Sequence, residues 1–158
     1  MISGALVKSP YKFLGKAEVL SLPVFGFVLR NLNVPVRRQD EDDRARSMGE
    51  LAKAIRQGYS LIIYPEGTRN LSGDLVGQFH EGAFRLSIEM GVPIVLLAAI
   101  NSEVRMPPNR WVLSPGLLFC EWSEPILAKT GENQEAFTLR CRAELIRIIK
   151  EGKCKMKN

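Results

Sequence analysis

The sequence predicts an α/β protein, with a mostly parallel sheet covered by helices on both faces. Three observations carry that expectation. Two near-continuous apolar runs, "SLIIYPEG" (Ser60–Gly67) and "VPIVLLAAI" (Val92–Ile100), have the unalternating character of strands buried on both sides. A helical pattern, "EGAFRLSIEMG" (Glu81–Gly91), lies between them, so the order is strand, helix, strand. Further amphipathic helices precede and follow that unit.

In chain order, "AEVLSLPVFGFVLRNL" (Ala17–Leu32) reads as short helical pieces interrupted by Pro23 and Gly26, with an apolar face suited to a core or to a membrane surface. After Arg37, Arg38 and the acidic "QDEDD", a helix over "RARSMGELAKAIRQG" places Ala45, Met48, Leu51, Ala52 and Ile55 on one face. Asp42 or Asp43 is its expected cap and Gly58 its stop. The Ser60–Gly67 strand ends in a turn, and the next helix closes at Gly91. "GLLFCEW" (Gly116–Trp122) reads as another strand. The last element, "NQEAFTLRCRAELIRIIKEG", is a helix capped by Asn133 that buries Phe137, Cys141, Leu145, Ile148 and Ile149 and ends at Gly152. With 158 residues and neither repeat nor linker, residues 1–158 are expected to form one domain.

Composition narrows the function. Lys and Arg number 22 against 17 Asp and Glu, a net +5 that favours anionic partners; much of the excess lies in the tail "KEGKCKMKN". Nucleic acid is not the expected partner, because the basic residues lack aromatic interleaving and any recognition motif. Three widely spaced cysteines and one histidine suggest neither a disulfide framework nor a metal site. The longest uncharged apolar stretches, Val19–Leu29 and Met90–Ser102, are shorter than the roughly 20 residues a membrane-spanning helix needs.

The densest chemistry is in "YPEGTRN", Tyr64–Asn70. A strand ending in Pro-Glu-Gly-Thr-Arg puts a carboxylate, a flexible glycine, a hydroxyl and a guanidinium at the carboxyl edge of a sheet, where α/β folds bind ligands. Arg69 offers planar paired donors suited to a phosphate, and Glu66 can orient that arginine or a substrate hydroxyl. A solvated turn closed by a Glu–Arg pair fits the same residues.

This block resembles the Phe-Pro-Glu-Gly-Thr-Arg-Ser block of the glycerolipid acyltransferases, the 1-acyl-sn-glycerol-3-phosphate acyltransferase-like family. "GKAEVLSLPVFGFVLRNLNVPVRR" (Gly15–Arg38) is similar to the family's segment with a lysine, a Pro-x-Phe-Gly turn and an arginine after a short strand. "GQFHEGAFRLSIEMGVPIVLLAAI" (Gly77–Ile100) is similar to its Phe-Lys-x-Gly-Ala through Val-Pro-Ile-Val-Pro stretch. The resemblance covers about Lys12 to Ile100 in the family's order and implies a glycerol-3-phosphate acyltransferase-like fold. It implies that Glu66, Gly67, Thr68 and Arg69 hold a lysophospholipid acceptor, with Arg38 as a second phosphate contact. The acyl donor would be acyl-CoA or acyl carrier protein, with no further cofactor and no metal. The implied location is the cytoplasmic face of a membrane.

The family's base, the histidine of a His-x-x-x-x-Asp motif, is not in this sequence. The sole histidine, His80, is followed five positions on by Arg85 and stands where the family carries a lysine, so it reads as an exposed residue at a helix start. The resemblance places the catalytic motif upstream of Met1 and implies that the chain lacks the family's N-terminal elements. A truncated enzyme, and a non-catalytic lipid-phosphate binding module or decayed pseudoenzyme, are the two readings this leaves. Leu96 replaces the second proline of the Val-Pro-Ile-Val-Pro block, which would alter the acyl-side wall, and Glu81 takes a position that is often basic.

Overall fold

A strand absent from the sequence reading organises the first part of the chain. In the computed structural model, which describes residues 7, 9–16, 33–36, 41–107 and 114–156, two compact units divide between Tyr64 and Pro65. The Ala17–Leu32 stretch and Arg38 lie outside the described residues.

In the first unit, β1 (Tyr11–Lys16) is the middle strand of a three-stranded sheet, flanked by β2 (Asn33–Val36) and β3 (Ser60–Ile62). Both pairings are parallel, with Phe13 opposite Asn33 on one side and opposite Ile62 on the other. Tyr11 and Phe13, two residues apart and so on one face, meet edge to face with ring centroids 5.3 Å apart. Pro35, which has no N–H for a ladder, falls on β2 at an edge of the described sheet, the place where a sheet tolerates proline.

Helix α1 (Glu41–Arg56) packs against β2 and β3. It begins one residue before the expected cap, so Asp42 and Asp43 stand inside its first turn. Its most buried residues are Ser47, Leu51 and Ala54, at the i, i+4, i+7 spacing of one helix face. The apolar stripe is therefore rotated from the expected one: Met48, Ala52 and Ile55 flank it half-buried, and Ala45 is exposed. Small side chains at 47 and 54 allow close packing that hydrophobicity alone would not assign to serine. Gly58 ends the helix as expected. At φ 83° it donates to Ile55 O at 2.9 Å while Tyr59 N donates to Ala54 O at 3.0 Å, the double bond of a Schellman stop.

The second unit contains α2 (Gly82–Met90), β4 (Leu97–Ile100), the short α3 (Ser102–Arg105), β5 (Phe119–Trp122) and α4 (Gln134–Lys155). Helix α2 ends at Gly91 by the same device, with Gly91 N on Ile88 O and Val92 N on Ser87 O. The buried Ser87 donates its hydroxyl to Val92 O at 2.6 Å.

Among the described residues β4 joins no parallel ladder. It pairs antiparallel with β5, Leu97 opposite Trp122 and Ile100 opposite Phe119, and an isolated bridge joins Ile94 to Ile126. The expected Val92–Ile100 strand is thus confined to this bridge and to Leu97–Ile100. Its buried residues, Leu96, Ala98 and Ile100, pack on residues of α2 and α4. Asn101, the one described non-glycine residue with positive φ, ends β4 at φ 64°. Its buried side chain donates to Leu117 O at 2.9 Å and accepts from Phe119 N at 3.4 Å, tying the two strands together.

The core of this unit is Phe84, Leu96, Phe137 and Cys141, with Phe84 and Phe137 edge to face at 6.0 Å. Burying each phenyl ring contributes about 1.5 to 3 kcal/mol. A second cluster joins Ala98 and Ile100 of β4 to Ile148 of α4, with Leu145 and Ile149 against it. The face expected of α4 is the face it buries. Asn133 caps it, accepting from Ala136 N at 2.8 Å. Gly152 does not end it: the helix runs on to Lys155, and the buried Gly152 occupies the place where a methyl group would meet Cδ1 of Ile100. A glycine whose signal resembles a stop is here a contact between helix and strand.

Candidate functional site

The Tyr64–Asn70 block follows β3 after Ile63, and from Pro65 onward it belongs to the second unit. Gly67 lies at φ 67°, a left-handed turn that glycine adopts without penalty. Beyond the turn, Thr68 and Arg69 are exposed, while Glu66 is partly buried.

The Glu66 carboxylate is seated against Gly77. A Cβ on Gly77 would stand 2.8 Å from Glu66 Oε2 and 3.7 Å from Cγ of Asn70. Among the described residues no hydrogen bond or ion pair joins Glu66 to Arg69, so the turn is not closed by a pair between them. The exposed Arg69 side chain has no hydrogen-bond or ion-pair partner among the described residues, and Glu66 is placed by its contact with Gly77, not by the arginine.

The residues after the block form a self-contained turn. Asn70 Oδ1 accepts from Ser72 N at 3.0 Å and Ser72 Oγ at 2.8 Å, and Asn70 Nδ2 donates to Asp74 O at 2.9 Å. These side-chain bonds to nearby backbone are the turn chemistry of asparagine and serine. The base of the loop is closed by His80 N donating to Pro65 O at 2.8 Å. Val76, 1% exposed, anchors it from within. Arg142 of α4 then reaches its backbone, Nε to Gly77 O at 2.8 Å and Nη2 to Val76 O at 2.6 Å.

Of the residues singled out from sequence, Glu66, Gly67, Thr68 and Arg69 therefore share one short turn. His80 is exposed just ahead of α2, as expected. Sequence reasoning passed over Gly77, Asn70 and Arg142. Asn70 carried a turn signal in "NLSGD", whereas Gly77 and Arg142 acquire their significance only through contacts 11 and 65 residues away along the chain. Leu96 is buried in the core and its N–H donates to Ser123 Oγ at 2.9 Å, a bond that proline at this position would forfeit. Among the described residues no cluster of His, Cys, Asp and Glu is suited to a metal ion, and no helix is long and apolar enough to cross a membrane.

Comparison with known proteins extends this picture. The acyltransferase family model matches residues 1–99. The chloroplastic 1-acyl-sn-glycerol-3-phosphate acyltransferase BAT2 of Brassica napus is 32% identical over 98 residues, 61% of this chain and 28% of that protein. The 1-acyl-sn-glycerol-3-phosphate acyltransferase of Salmonella typhimurium is 29% identical over 161 aligned positions, spanning 96% of this chain and 62% of its own length. The chain thus spans less than two thirds of the length of each of these relatives. In fold it is similar to the crystal structure of the 1-acyl-sn-glycerophosphate acyltransferase PlsC from Thermotoga maritima, with a TM-score of 0.74 over 89% of this chain and 56% of that one, at 24% identity. With a family model covering more than half of its residues and that fold beside it, this α/β chain belongs to the acyltransferase family.

Proposed function

We propose that this chain carries the acceptor-binding part of a lysophosphatidate acyltransferase, in which Arg69 and Arg38 bind the acceptor phosphate and Glu66 and Thr68 orient the glycerol. Support comes from one observation above all: a glycine-dependent turn presents an exposed arginine beside a carboxylate seated against Gly77, inside the region that matches the family. Each arginine supplies charge-assisted hydrogen bonds to a dianionic phosphate, a recognition that neutral glycerol does not offer.

In the reaction, the free hydroxyl of lysophosphatidate or a related lysophospholipid attacks the thioester carbonyl of acyl-CoA or acyl carrier protein. The hydroxyl proton passes to a base, the new ester C–O bond forms, the C–S bond breaks and the thiol departs. The 158 residues contain no His-x-x-x-x-Asp pair, so none of them is assigned the role of that base. Because acceptor and product are lipids, the protein works at a membrane surface, on the cytoplasmic side.

Loss of a charged hydrogen bond in Arg69→Ala should weaken lysophosphatidate binding by about 1.5 to 3 kcal/mol, roughly 10- to 100-fold. Calorimetric titration measures it, with monoacylglycerol of the same chain length as the phosphate-free control. Equal affinity of variant and parent would remove the reading. Acyl transfer to lysophosphatidate, assayed with acyl-CoA as donor, separates an enzyme from a binding module that shares the same site.

A further inference from the structure

We propose that Arg142, 73 positions after Arg69, is a positioning residue for the acceptor turn, acting through Gly77. The inference rests on the reading of Glu66–Arg69 as the acceptor site. Arg142 follows Cys141, which is fully buried in the core, so its backbone is anchored beside that core. Its half-buried guanidinium donates to two successive carbonyls, those of Val76 and Gly77. A planar fork with fixed donors suits such a pair, since both bonds form from one orientation.

What those two bonds locate is the Cα of Gly77, and that atom is the floor under Glu66. A Cβ there would lie 2.8 Å from Glu66 Oε2 and 3.4 Å from Cδ. The carboxylate, one residue before the left-handed turn that presents Arg69, is therefore placed by a backbone position that Arg142 sets. The loop is also tied at its base by the Pro65–His80 bond and within by the buried Val76. Removing Arg142 should leave the loop attached but free to shift, and displacements of about 1 Å at a positioned group cost up to 100-fold in function. Gly77→Ala approaches the same floor from the other side. It inserts a methyl group beneath the far end of a flexible side chain, so it moves the carboxylate without opening the core.

The test compares the 158-residue chain with its Arg69→Ala, Arg142→Ala, Arg142→Lys and Gly77→Ala variants. Each is titrated with lysophosphatidate and with monoacylglycerol of the same chain length, and unfolded in urea. We expect Arg142→Ala and Gly77→Ala each to weaken lysophosphatidate binding about 10-fold, a fraction of the limit for a misplaced group. Monoacylglycerol affinity should fall by a similar factor, because both ligands carry the glycerol that Glu66 orients, Gly77→Ala should keep the parent's urea midpoint, and Arg142→Lys should recover part of the loss. Parent-like affinity in both Arg142→Ala and Gly77→Ala, beside a weakened Arg69→Ala, would overturn the positioning role and leave the acceptor site standing. Parent-like affinity in Gly77→Ala, beside losses in Arg142→Ala that track its urea midpoint, would likewise overturn it in favour of a merely structural role. An unaffected Arg69→Ala would bring down the acceptor reading and this inference with it.

Discussion

Gly67 and Gly77 serve the same turn by opposite means. Gly67 supplies a backbone angle, φ 67°, that a residue with a Cβ adopts at a cost of about 1 to 2 kcal/mol. Gly77 supplies empty space. Gly67→Ala should accordingly lower the urea-unfolding free energy by about 1 kcal/mol and also weaken lysophosphatidate binding, because the chain relieves the strain by turning Arg69 away. A variant with parent stability and parent affinity would show that the turn does not depend on its left-handed residue. Cys141 illustrates burial of a different kind: removal from solvent pushes its thiol up to about 11, so it is a packing residue and not a nucleophile at neutral pH.

At the scale of elements, α4 holds the second unit together, and two of its contacts are open to test. Near its start, Arg140 grips Glu132 with two hydrogen bonds, at 2.8 and 2.6 Å, and also donates to Leu127 O. The Arg140 hydrogen bond, helped by the Lys129 backbone N–H, lowers the Glu132 carboxyl to about 2 from an ordinary 4.5. A carboxyl lowered in the folded state binds its proton more readily in the unfolded one, so its stabilising contribution is present above pH 4.5 and is lost as pH falls toward 2. Glu132→Gln should flatten the stability profile across that window, as urea midpoints at successive pH values would reveal; an unaltered slope would assign the acid sensitivity elsewhere. Near its other end, Gly152 meets Ile100. Gly152→Ala should destabilise by about 1 to 3 kcal/mol through overpacking, despite alanine's better helix propensity. A stabilised variant would mean that propensity outweighs the contact.

Across the whole molecule, much was legible before any coordinates. The α/β class, the Gly58 and Gly91 stops, the Asn133 cap, the buried face of α4 and the acyltransferase family all follow from local signals: apolar periodicity, capping chemistry and an ordered motif set. The sequence by itself also brought Glu66, Gly67, Thr68 and Arg69 together, because contiguous residues need no fold to be neighbours. What lay beyond it were relations between distant positions. β1, with Lys12 and Lys16 among its six residues, reads as polar, and only pairing on both sides makes it a central strand. The register of α1 turned on Ser47, whose burial depends on the surface it meets. β4 took an antiparallel partner because strand pairing is a contact across some 20 residues that composition does not encode. Gly152 and Gly77 show the same limit most plainly: a glycine's local signal is a turn or a stop, whereas here its use is the room it leaves for Ile100 and Glu66, which tertiary packing alone brings to it.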